Sequence, residues 1–466
     1  MPPFLLRKST KNKLTYNSFR DKIILRWDWL PQRQKSKNKG EWLMIPAIAL
    51  FAITYILILA FGKYRTYIAL ASGVIFVLSG MLPISELIPS IDFNVLLMII
   101  GTMGLVSLFT ESKMPAMLAD MMMEKVPNVK WAAVALALFA GVISAFVDNV
   151  ATVLMVAPIA LAICNKLNTN PVPFIISVAV SSNLQGAATL VGDTTAIMLG
   201  SALDMSFLDF FWYQGKPSIF FAVELGAVLS ALIVLYIFKK ENAPIPKGSE
   251  RAKVTDFVPT ILLILVLVFL IAASFIPNKP AITNGLICCV LLVVGLVHAV
   301  IKNKSIKAVV PALREIDFQT LGILVGIFIM IGGIEAAGVI KALADLLAKV
   351  GGGNIFLLYT VIVVASVIIS AFIDNIPYVA TMIPVIAGIA TAMGIDATPL
   401  YFGLLSGATL GGNCTPVGAS ANITGIGILK KNGYTVKNSD FFRIGIPFTL
   451  AAIIPAYIYI WLVYGI

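Results

Sequence analysis

Two copies of one short polar motif interrupt apolar sequence, one in each half of the chain. Residues 144–149 read Ser-Ala-Phe-Val-Asp-Asn, and residues 370–375 read Ser-Ala-Phe-Ile-Asp-Asn. Each copy places a carboxylate, Asp148 or Asp374, among residues too apolar to keep it hydrated. Ionisable groups in such surroundings are rare and usually functional, so the motif predicts a duplicated site for a small ion or a polar solute.

The likeness continues downstream without a gap, and the added residues supply further oxygen atoms. Carboxylates, amides and hydroxyls suit a hard cation such as sodium, or a proton. The predicted binding residues are Asp148, Asn149, Thr189, Gly192 and Asp193 in the first half, and Asp374, Asn375, Asn413, Thr415, Gly418, Ser420 and Asn422 in the second. The predicted sodium ligands among them are Asp148, Asn149, Asp374 and Asn375. Because Ala419 stands where the first copy has Asp193, the two sites are expected to differ.

Two interpretations of the motif aspartates are open at this point. A carboxylate removed from water favours its protonated form unless a cation or hydrogen-bond donors lie beside it. Asp148 and Asp374 would then exchange a proton for sodium near neutral pH, which is the minimal chemistry of antiport. Alternatively, each aspartate only caps the helix that follows it, since Asp and Asn are preferred N-caps. The two roles are compatible.

The interrupted regions are almost free of basic residues. Apart from Lys166 at a boundary, Lys and Arg do not occur in the segments that carry the motif, 131–165 and 355–393, or in the polar segments downstream of them, 172–203 and 398–429. A multivalent anion would therefore be held by amides, hydroxyls and bound cations alone. This pattern favours a cation or a neutral solute and leaves a carboxylate open.

The composition is that of a multi-pass protein of the cell membrane. Hydrophobic residues make up 59% of the 466 residues and charged residues only 12%, which excludes an ordinary soluble domain. The net charge of +11 derives largely from a basic tail, residues 1–40. We interpret that tail as a solvated arm or a segment bound to anionic lipid headgroups, and we expect no nucleic-acid partner.

Catalytic and metal-binding patterns are not apparent. The 4 cysteines lack Cys-x-x-Cys spacing and the chain has 1 histidine, so neither a disulfide framework nor a zinc site is indicated. We therefore expect no enzymatic activity and no cofactor other than a coupling ion, sodium or a proton.

The apolar segments predict an all-α polytopic fold of about ten transmembrane helices, because a span needs about 20 apolar residues. Uninterrupted candidates lie near residues 42–61, 66–83, 93–110, 219–238, 256–275, 281–300, 318–336 and 444–464. Residues 131–165 and 355–393 are broken at their Asp-Asn centres and predict two re-entrant hairpins. Residues 172–203 and 398–429 carry Gly, Ser, Thr and Asn at their centres and predict two broken helices. Such breaks persist at membrane depth only where they line a buried or wet cavity.

The duplication divides the chain into a tail (1–40), a first repeat (41–238), a linker (239–255) and a second repeat (256–466). Five crossings in each half would make the second repeat enter the membrane from the opposite side, which is the inverted-repeat plan of secondary transporters. The basic loops at 111–130, 239–255, 301–317 and 430–443 would then share one side. The positive-inside rule places that side in the cytoplasm, although the basic tail would then lie outside.

At these motifs the chain resembles the ArsB/NhaD permeases of the ion transporter superfamily, which include arsenite efflux pumps, sodium/proton antiporters and P-protein-like members. The likeness spans about residues 42–466 and is most specific at residues 144–149, 411–422 and 440–445. It implies hairpins and broken helices that move against a scaffold, commonly in a homodimer, with substrate and ions at the hairpin tips. P-protein-like relatives usually follow the first Gly-Asp with Pro-Pro-Asn, whereas Thr-Thr-Ala follows it here. The first site thus lacks an expected amide, and its coordination would depend more on Asp193.

The leading hypothesis from the sequence is a secondary active transporter that exchanges sodium or another small ion for protons. The alternative is a carrier of arsenite or of a small organic anion, such as a dicarboxylate or tricarboxylate, coupled to sodium or protons. A passive channel is a third class, which the duplicated halves disfavour because alternating access needs two exchangeable halves.

Overall fold

The computed structural model describes residues 37–167, 169–245, 251–351 and 353–465. The predicted basic tail therefore lies outside the described residues, except for its last few positions. The described chain is built almost entirely of helices, as expected for an all-α membrane protein. A small antiparallel hairpin pairs Trp212–Tyr213 with Lys216–Pro217 between two helices of the first half.

The helices of the first half follow one another with short connections. In chain order they are α1 (Lys37–Ala60), α2 (Arg65–Leu78), α3 (Ile84–Leu87), α4 (Phe93–Glu111), α5 (Met114–Met123), α6 (Val129–Ser144), α7 (Asn149–Leu167), α8 (Val172–Gln185), α9 (Thr194–Ala202) and α10 (Ile219–Ile237).

The second half repeats this order. Its helices are α11 (Val258–Ser274), α12 (Thr283–Asn303), α13 (Val310–Glu315), α14 (Phe318–Ala336), α15 (Val339–Gly351), α16 (Ile355–Ser370), α17 (Asn375–Met393), α18 (Thr398–Gly411), α19 (Ser420–Lys431) and α20 (Asn438–Tyr464). Equivalent helices agree in length: α4 and α14 each have 19 residues, α6 and α16 each 16, α7 and α17 each 19, and α8 and α18 each 14.

Seven helices in the described part of the chain are long and apolar enough to cross a membrane, or eight if the bent pair α1–α2 counts as one span. The helices α6, α8, α11 and α16 are apolar but shorter. The predicted interruptions are confirmed: each hairpin divides at its Asp-Asn centre, and each broken helix divides at its glycine-rich centre.

One predicted span is wrong in detail. The segment predicted at 66–83 is helix α2, which ends at Leu78 and has 14 residues, about 21 Å of rise against about 30 Å of hydrocarbon. Gly80 follows with a φ of 74°, a left-handed conformation that terminates helices. At its other end, α2 is bent by 111° from α1. The first two helices thus form a bent pair, and the bend lies beside Arg65.

Helices of the two halves interlock. Helix α4 packs on α12, and α14 packs on α2. Glycines make both contacts close, since a Cβ built on Gly101 would overlap the carbonyl carbon of Cys288, and one on Gly326 would lie 2.5 Å from that of Ala69. Each half therefore contributes a helix to the framework of the other.

The linker between the halves is hydrogen-bonded to the loop at 111–130, which was predicted to lie on the same side of the membrane. Backbone amides of Val129 and Lys130 donate to the carbonyl oxygens of Ala243 and Glu241 at 3.0 and 2.9 Å. Farther along, the backbone amide of Ala252 donates to the carboxylate of Asp120 at 2.8 Å. The described parts of the linker, 239–245 and 251–255, therefore lie against the loop at 111–130.

The residue that follows the linker, Asp256, is bound to helix α12. Asp256 contacts His298 and Lys302, each at 2.9 Å. Partial burial opposes ionisation of Asp256, but hydrogen bonds from Lys302, the backbone of Val258 and His298 outweigh it and hold the pKa of this carboxyl below its ordinary value. The C-terminal end of α12 therefore lies beside the end of the linker.

Candidate functional site

The first hairpin tip lies between α6 and α7, where Asp148 and Asn149 take different roles. Asp148 caps α7, its Oδ1 accepting hydrogen bonds from the backbone amides of Val150 and Ala151 at 2.9 and 3.2 Å. The capping role considered from the sequence is therefore present. The Asn149 side chain turns inward, and its Oδ1 accepts a hydrogen bond from Ser144 at 2.8 Å.

The second hairpin tip repeats this arrangement between α16 and α17. Asp374 Oδ1 accepts a hydrogen bond from the backbone amide of Ile376 at 3.3 Å, and the Ser370 hydroxyl donates to Asn375 Oδ1. The other carboxylate oxygen of Asp374 has two further neighbours, Arg65 Nη1 at 3.3 Å and the Ser420 hydroxyl at 3.4 Å. The second tip thus carries an ion pair.

One predicted threonine in each half connects the helix break to the hairpin tip by a hydrogen bond. The Thr189 hydroxyl donates to the carbonyl oxygen of Ala145, and the Thr415 hydroxyl donates to that of Ala371. Each threonine oxygen also accepts a longer hydrogen bond from a backbone amide two residues on, at 3.4 and 3.3 Å. Each hydroxyl proton and one lone pair of each threonine oxygen are thereby used within the protein, and one lone pair remains for a ligand.

Backbone carbonyl oxygens converge around the two predicted glycines. A Cβ built on Gly192 would lie 2.6 Å from the carbonyl oxygen of Gly186 and 3.0 Å from those of Ser144 and Ala145. The second copy repeats the pattern, since a Cβ built on Gly418 would lie 2.6, 2.8 and 2.9 Å from the carbonyl oxygens of Gly412, Ala371 and Ser370. Only glycine allows the break and the tip to approach so closely, so backbone carbonyl oxygens of the two segments lie close together in each copy.

A chain of side-chain amides joins the first hairpin tip to the second helix break. Asn149 donates to Asn183 Oδ1 at 3.2 Å, and Asn183 donates to the Thr409 carbonyl oxygen at 2.7 Å and to Asn413 Oδ1 at 3.1 Å. Asn413 in turn donates to the carbonyl oxygen of Val180 at 2.9 Å. Asn183 was not among the predicted residues, although an amide in the last turn of the apolar helix α8 was a visible signal.

Asp193 is a buried carboxylate at the first helix break. It is 8% exposed and caps α9, with the backbone amide of Thr194 and the hydroxyl of Thr195 each donating to its carboxylate at 2.7 Å. Its carboxylate is also within electrostatic range of Asp148 and Asp374. The third acidic group expected from the sequence thus lies where it can interact with both tips.

Asn422 holds the second break and presents a free acceptor. Its Nδ2 donates to the carbonyl oxygens of Gly412 and Thr415, both at 3.0 Å. Its Oδ1 is buried and has no hydrogen-bond partner within the described part of the structure. Since buried polar atoms are normally paired, this oxygen marks a place for a donor or a cation.

The structure reveals one basic residue that the sequence pattern did not associate with the site. Arg65 begins α2 at the bend between α1 and α2, far in sequence from Asp374. The bend is fixed nearby, because the Tyr55 hydroxyl of α1 donates to the carbonyl oxygen of Pro377 at 2.7 Å. Asp148 forms no ion pair with Lys or Arg among the described residues. The two tips therefore differ in charge.

Comparison with solved structures shows the same fold in membrane transporters. The chain is similar to the YdaH transporter of Alcanivorax borkumensis, with a TM-score of 0.58 and 12% identity over 90% of this chain and 98% of that one. It is also similar to MtrF of Neisseria gonorrhoeae, described as illuminating a class of antimetabolite efflux pumps, with a TM-score of 0.53 and 14% identity over 95% of this chain and 98% of that one. At these identities the likeness concerns the fold alone.

Sequence relatives cover nearly the whole chain. A 46 kDa membrane protein of Mycobacterium leprae is 31% identical over 90% of this chain and 98% of its own length, and an uncharacterized transporter of Mycobacterium bovis is 30% identical with the same coverage. The human P protein is 26% identical over 90% of this chain and 60% of its own length. The family described as citrate transporters matches residues 55–407 and, in a second overlapping match, residues 286–466. The chain is thus a transporter of the multi-pass membrane class and belongs to the citrate transporter (CitMHS) family.

Proposed function

We propose that this protein is a secondary active transporter that moves a small carboxylate anion, of the class that includes citrate, together with sodium ions or protons. The observation that carries the proposal is the repeated convergence of carbonyl oxygens beside a hairpin-tip aspartate, at Gly192 and at Gly418. The carboxylate carrier was the alternative drawn from the sequence, and family membership now favours it.

The tips supply what a sodium ion or a proton needs. Each offers backbone carbonyl oxygens, an asparagine Oδ1 and an aspartate, and the second adds the unpartnered Oδ1 of Asn422. No group of three or more His, Cys, Asp and Glu side chains within the described residues is placed to hold a metal ion. The ion would be held by the predicted ligands Asp148, Asn149, Asp374 and Asn375 together with the backbone carbonyl oxygens.

The second helix break supplies what an anion needs. Helix α19 begins after Ala419, whose side chain makes no capping hydrogen bond. The first-turn amides of α19 are therefore left without the side-chain cap that Asp193 gives to α9. Amides at a helix N-terminus attract negative groups, and the Ser420 hydroxyl lies in the same turn. A carboxylate bound here would lie close to the second cation site.

The duplicated halves suit alternating access. Four pairs of equivalent helices match in length, and α4 packs on α12 as α14 packs on α2, which supports the inverted-repeat arrangement and boundaries expected from the sequence. In this proposal the hairpins and broken helices move together against the remaining spans, and the ArsB/NhaD resemblance adds a homodimer as the expected assembly.

A second candidate function is the sodium/proton antiport hypothesised from the sequence. It is favoured by the first tip, where Asp148 lacks a basic partner among the described residues and lies within electrostatic range of Asp193. Such a pair of carboxylates could alternate between a proton and sodium without an organic substrate.

Uptake into proteoliposomes separates the candidates. We expect uptake of radiolabelled citrate to rise when an inward sodium or proton gradient is imposed, and protein-free liposomes to show none. Sodium-driven collapse of an imposed pH gradient without citrate would support antiport instead. Citrate uptake that is indifferent to both gradients would contradict the proposed coupling, and absence of uptake would contradict the proposed substrate class.

A further inference from the structure

Arg65 reaches the second hairpin tip from a different part of the molecule. It lies at the first position of α2, and its Nη1 is 3.3 Å from Asp374 Oδ2. The side chains of the two residues are 30% and 28% exposed, so the pair is neither sealed in the core nor fully solvated. Both charges remain within reach of a solute that enters the site.

Several hydrogen-bond donors lie around Asp374. Besides Arg65, the Ser420 hydroxyl donates to the same carboxylate oxygen at 3.4 Å. Ser420 opens helix α19, whose N-terminus has no side-chain cap. Three donors that suit a carboxylate, the guanidinium, the hydroxyl and the helix amides, are thus directed to one small volume.

The pair is a feature of one tip alone in the part of the chain that the structure describes. Asp148, the equivalent of Asp374, has no ion pair with a basic side chain there. Duplication alone therefore does not account for Arg65, because the repeated backbone geometry is built at the first tip without it.

We propose that Arg65 is the residue that recognises the anionic substrate, and that it is released to do so when Asp374 receives a cation. In the state described here, Arg65 and Asp374 neutralise each other. When sodium reaches Asp374, the guanidinium loses its partner and binds the incoming carboxylate. The ion pair is exchanged for two new pairs, so neither charge is left uncompensated, which is costly away from water.

This exchange makes binding of the anion and the cation mutually dependent at the second tip. A carboxylate alone would have to displace Asp374 from Arg65 and leave the aspartate unpaired, and a cation alone would leave Arg65 unpaired. The inference rests on the proposed carboxylate transport, for which it supplies the residue pair that couples the two ligands.

The test is citrate binding to the full chain, purified in detergent and titrated with radiolabelled citrate in cation-poor and sodium-rich buffer. Asp374→Asn removes the competing carboxylate, so we expect it to bind citrate about tenfold more tightly than the wild type in cation-poor buffer. Asp148→Asn is the matched control and should not raise this affinity. A gain of binding cannot result from misfolding, which keeps the test decisive.

Arginine variants complete the experiment. Arg65→Gln should weaken citrate binding about tenfold or more in sodium-rich buffer, while the exposed Arg314→Gln should bind as the wild type does. Asp374→Asn with wild-type affinity in cation-poor buffer, or Arg65→Gln with undiminished affinity, would overturn the inference. A wild type that binds no citrate in either buffer would overturn the proposed function and this inference with it.

Discussion

Replacing Gly418 by alanine tests the oxygen cluster directly. The added methyl group would lie 2.6, 2.8 and 2.9 Å from the carbonyl oxygens of Gly412, Ala371 and Ser370. All three neighbours are backbone atoms held in the helix break or the hairpin tip. They cannot rotate away as a flexible side chain would, so the tip and the break must separate.

The size of the effect follows from that overlap. A buried methyl group forced into a packed site costs about 1 to 3 kcal/mol, and here the strain falls on the oxygens proposed to bind the cation. If binding requires those carbonyls to return to their original positions, cation affinity should fall by about 5-fold to 150-fold. Gly192→Ala has slightly longer contacts, at 2.6, 3.0 and 3.0 Å, and should lose somewhat less.

The assay is the sodium or proton concentration that gives half-maximal citrate uptake in proteoliposomes. The matched control is Gly427→Ala, a glycine of the same helix α19, whose added methyl group would meet nothing within 4 Å. This control should transport like the wild type and gain slightly in stability, because alanine favours helix over glycine by about 1 kcal/mol.

Two results would refute the reasoning about Gly418. One is a Gly418→Ala protein whose cation dependence equals that of Gly427→Ala. The other is a Gly418→Ala protein that loses maximal uptake while its half-maximal cation concentration stays unchanged, since a displaced oxygen cluster must alter cation affinity first.

Three further changes test other parts of the site and the linker. Thr415→Val removes the hydroxyl that donates to Ala371 and should cost about 1 to 2 kcal/mol of thermal stability together with transport, whereas Thr415→Ser should restore both; equal behaviour of the two variants would contradict the fastening role. Asn183→Leu removes the amide partner of Asn149 at the first tip and of Asn413 at the second helix break, and should lower the melting temperature and abolish uptake; unchanged uptake would show that the site does not depend on this link. Asp256→Asn should make the linker more accessible to trypsin than in the wild type near neutral pH. Because the folded pKa of Asp256 is lowered, its contribution to stability is present above the ordinary aspartate value of about 3.9 and is lost as the pH falls through the lowered folded value, so equal cleavage of variant and wild type near neutral pH would contradict the expectation.

The sequence predicted the fold correctly where polar residues interrupt an apolar run. Apolar runs are helical in a bilayer, so Asp148-Asn149 and Asp374-Asn375 within such runs indicated the hairpin tips that the structure contains. The same argument located the helix breaks, and it worked because each interruption has a local cause in residue type.

Contacts between distant segments were beyond that argument. Arg65 reads as part of a short loop beside Lys63 and Tyr64, and nothing in its neighbours indicates Asp374 as a partner. The bend that carries Arg65 to the site depends on how α1 and α2 pack on the second hairpin and on α14. Asn183 was recognisable as a polar residue in an apolar helix, but its partners lie across the boundary between the halves.

The differences between the two copies suggest why a duplicated backbone can serve ligands of opposite charge. At the first break Asp193 caps α9 and adds negative charge near Asp148, so the surroundings there favour a cation. At the second break the cap is Ala419, the amides of α19 are left for a ligand, and Arg65 neutralises the tip aspartate. Introducing the missing cap with Ala419→Asp should therefore repel citrate and leave cation binding at the first tip intact. If Ala419→Asp transports citrate with wild-type affinity, the division of roles between the two breaks is wrong.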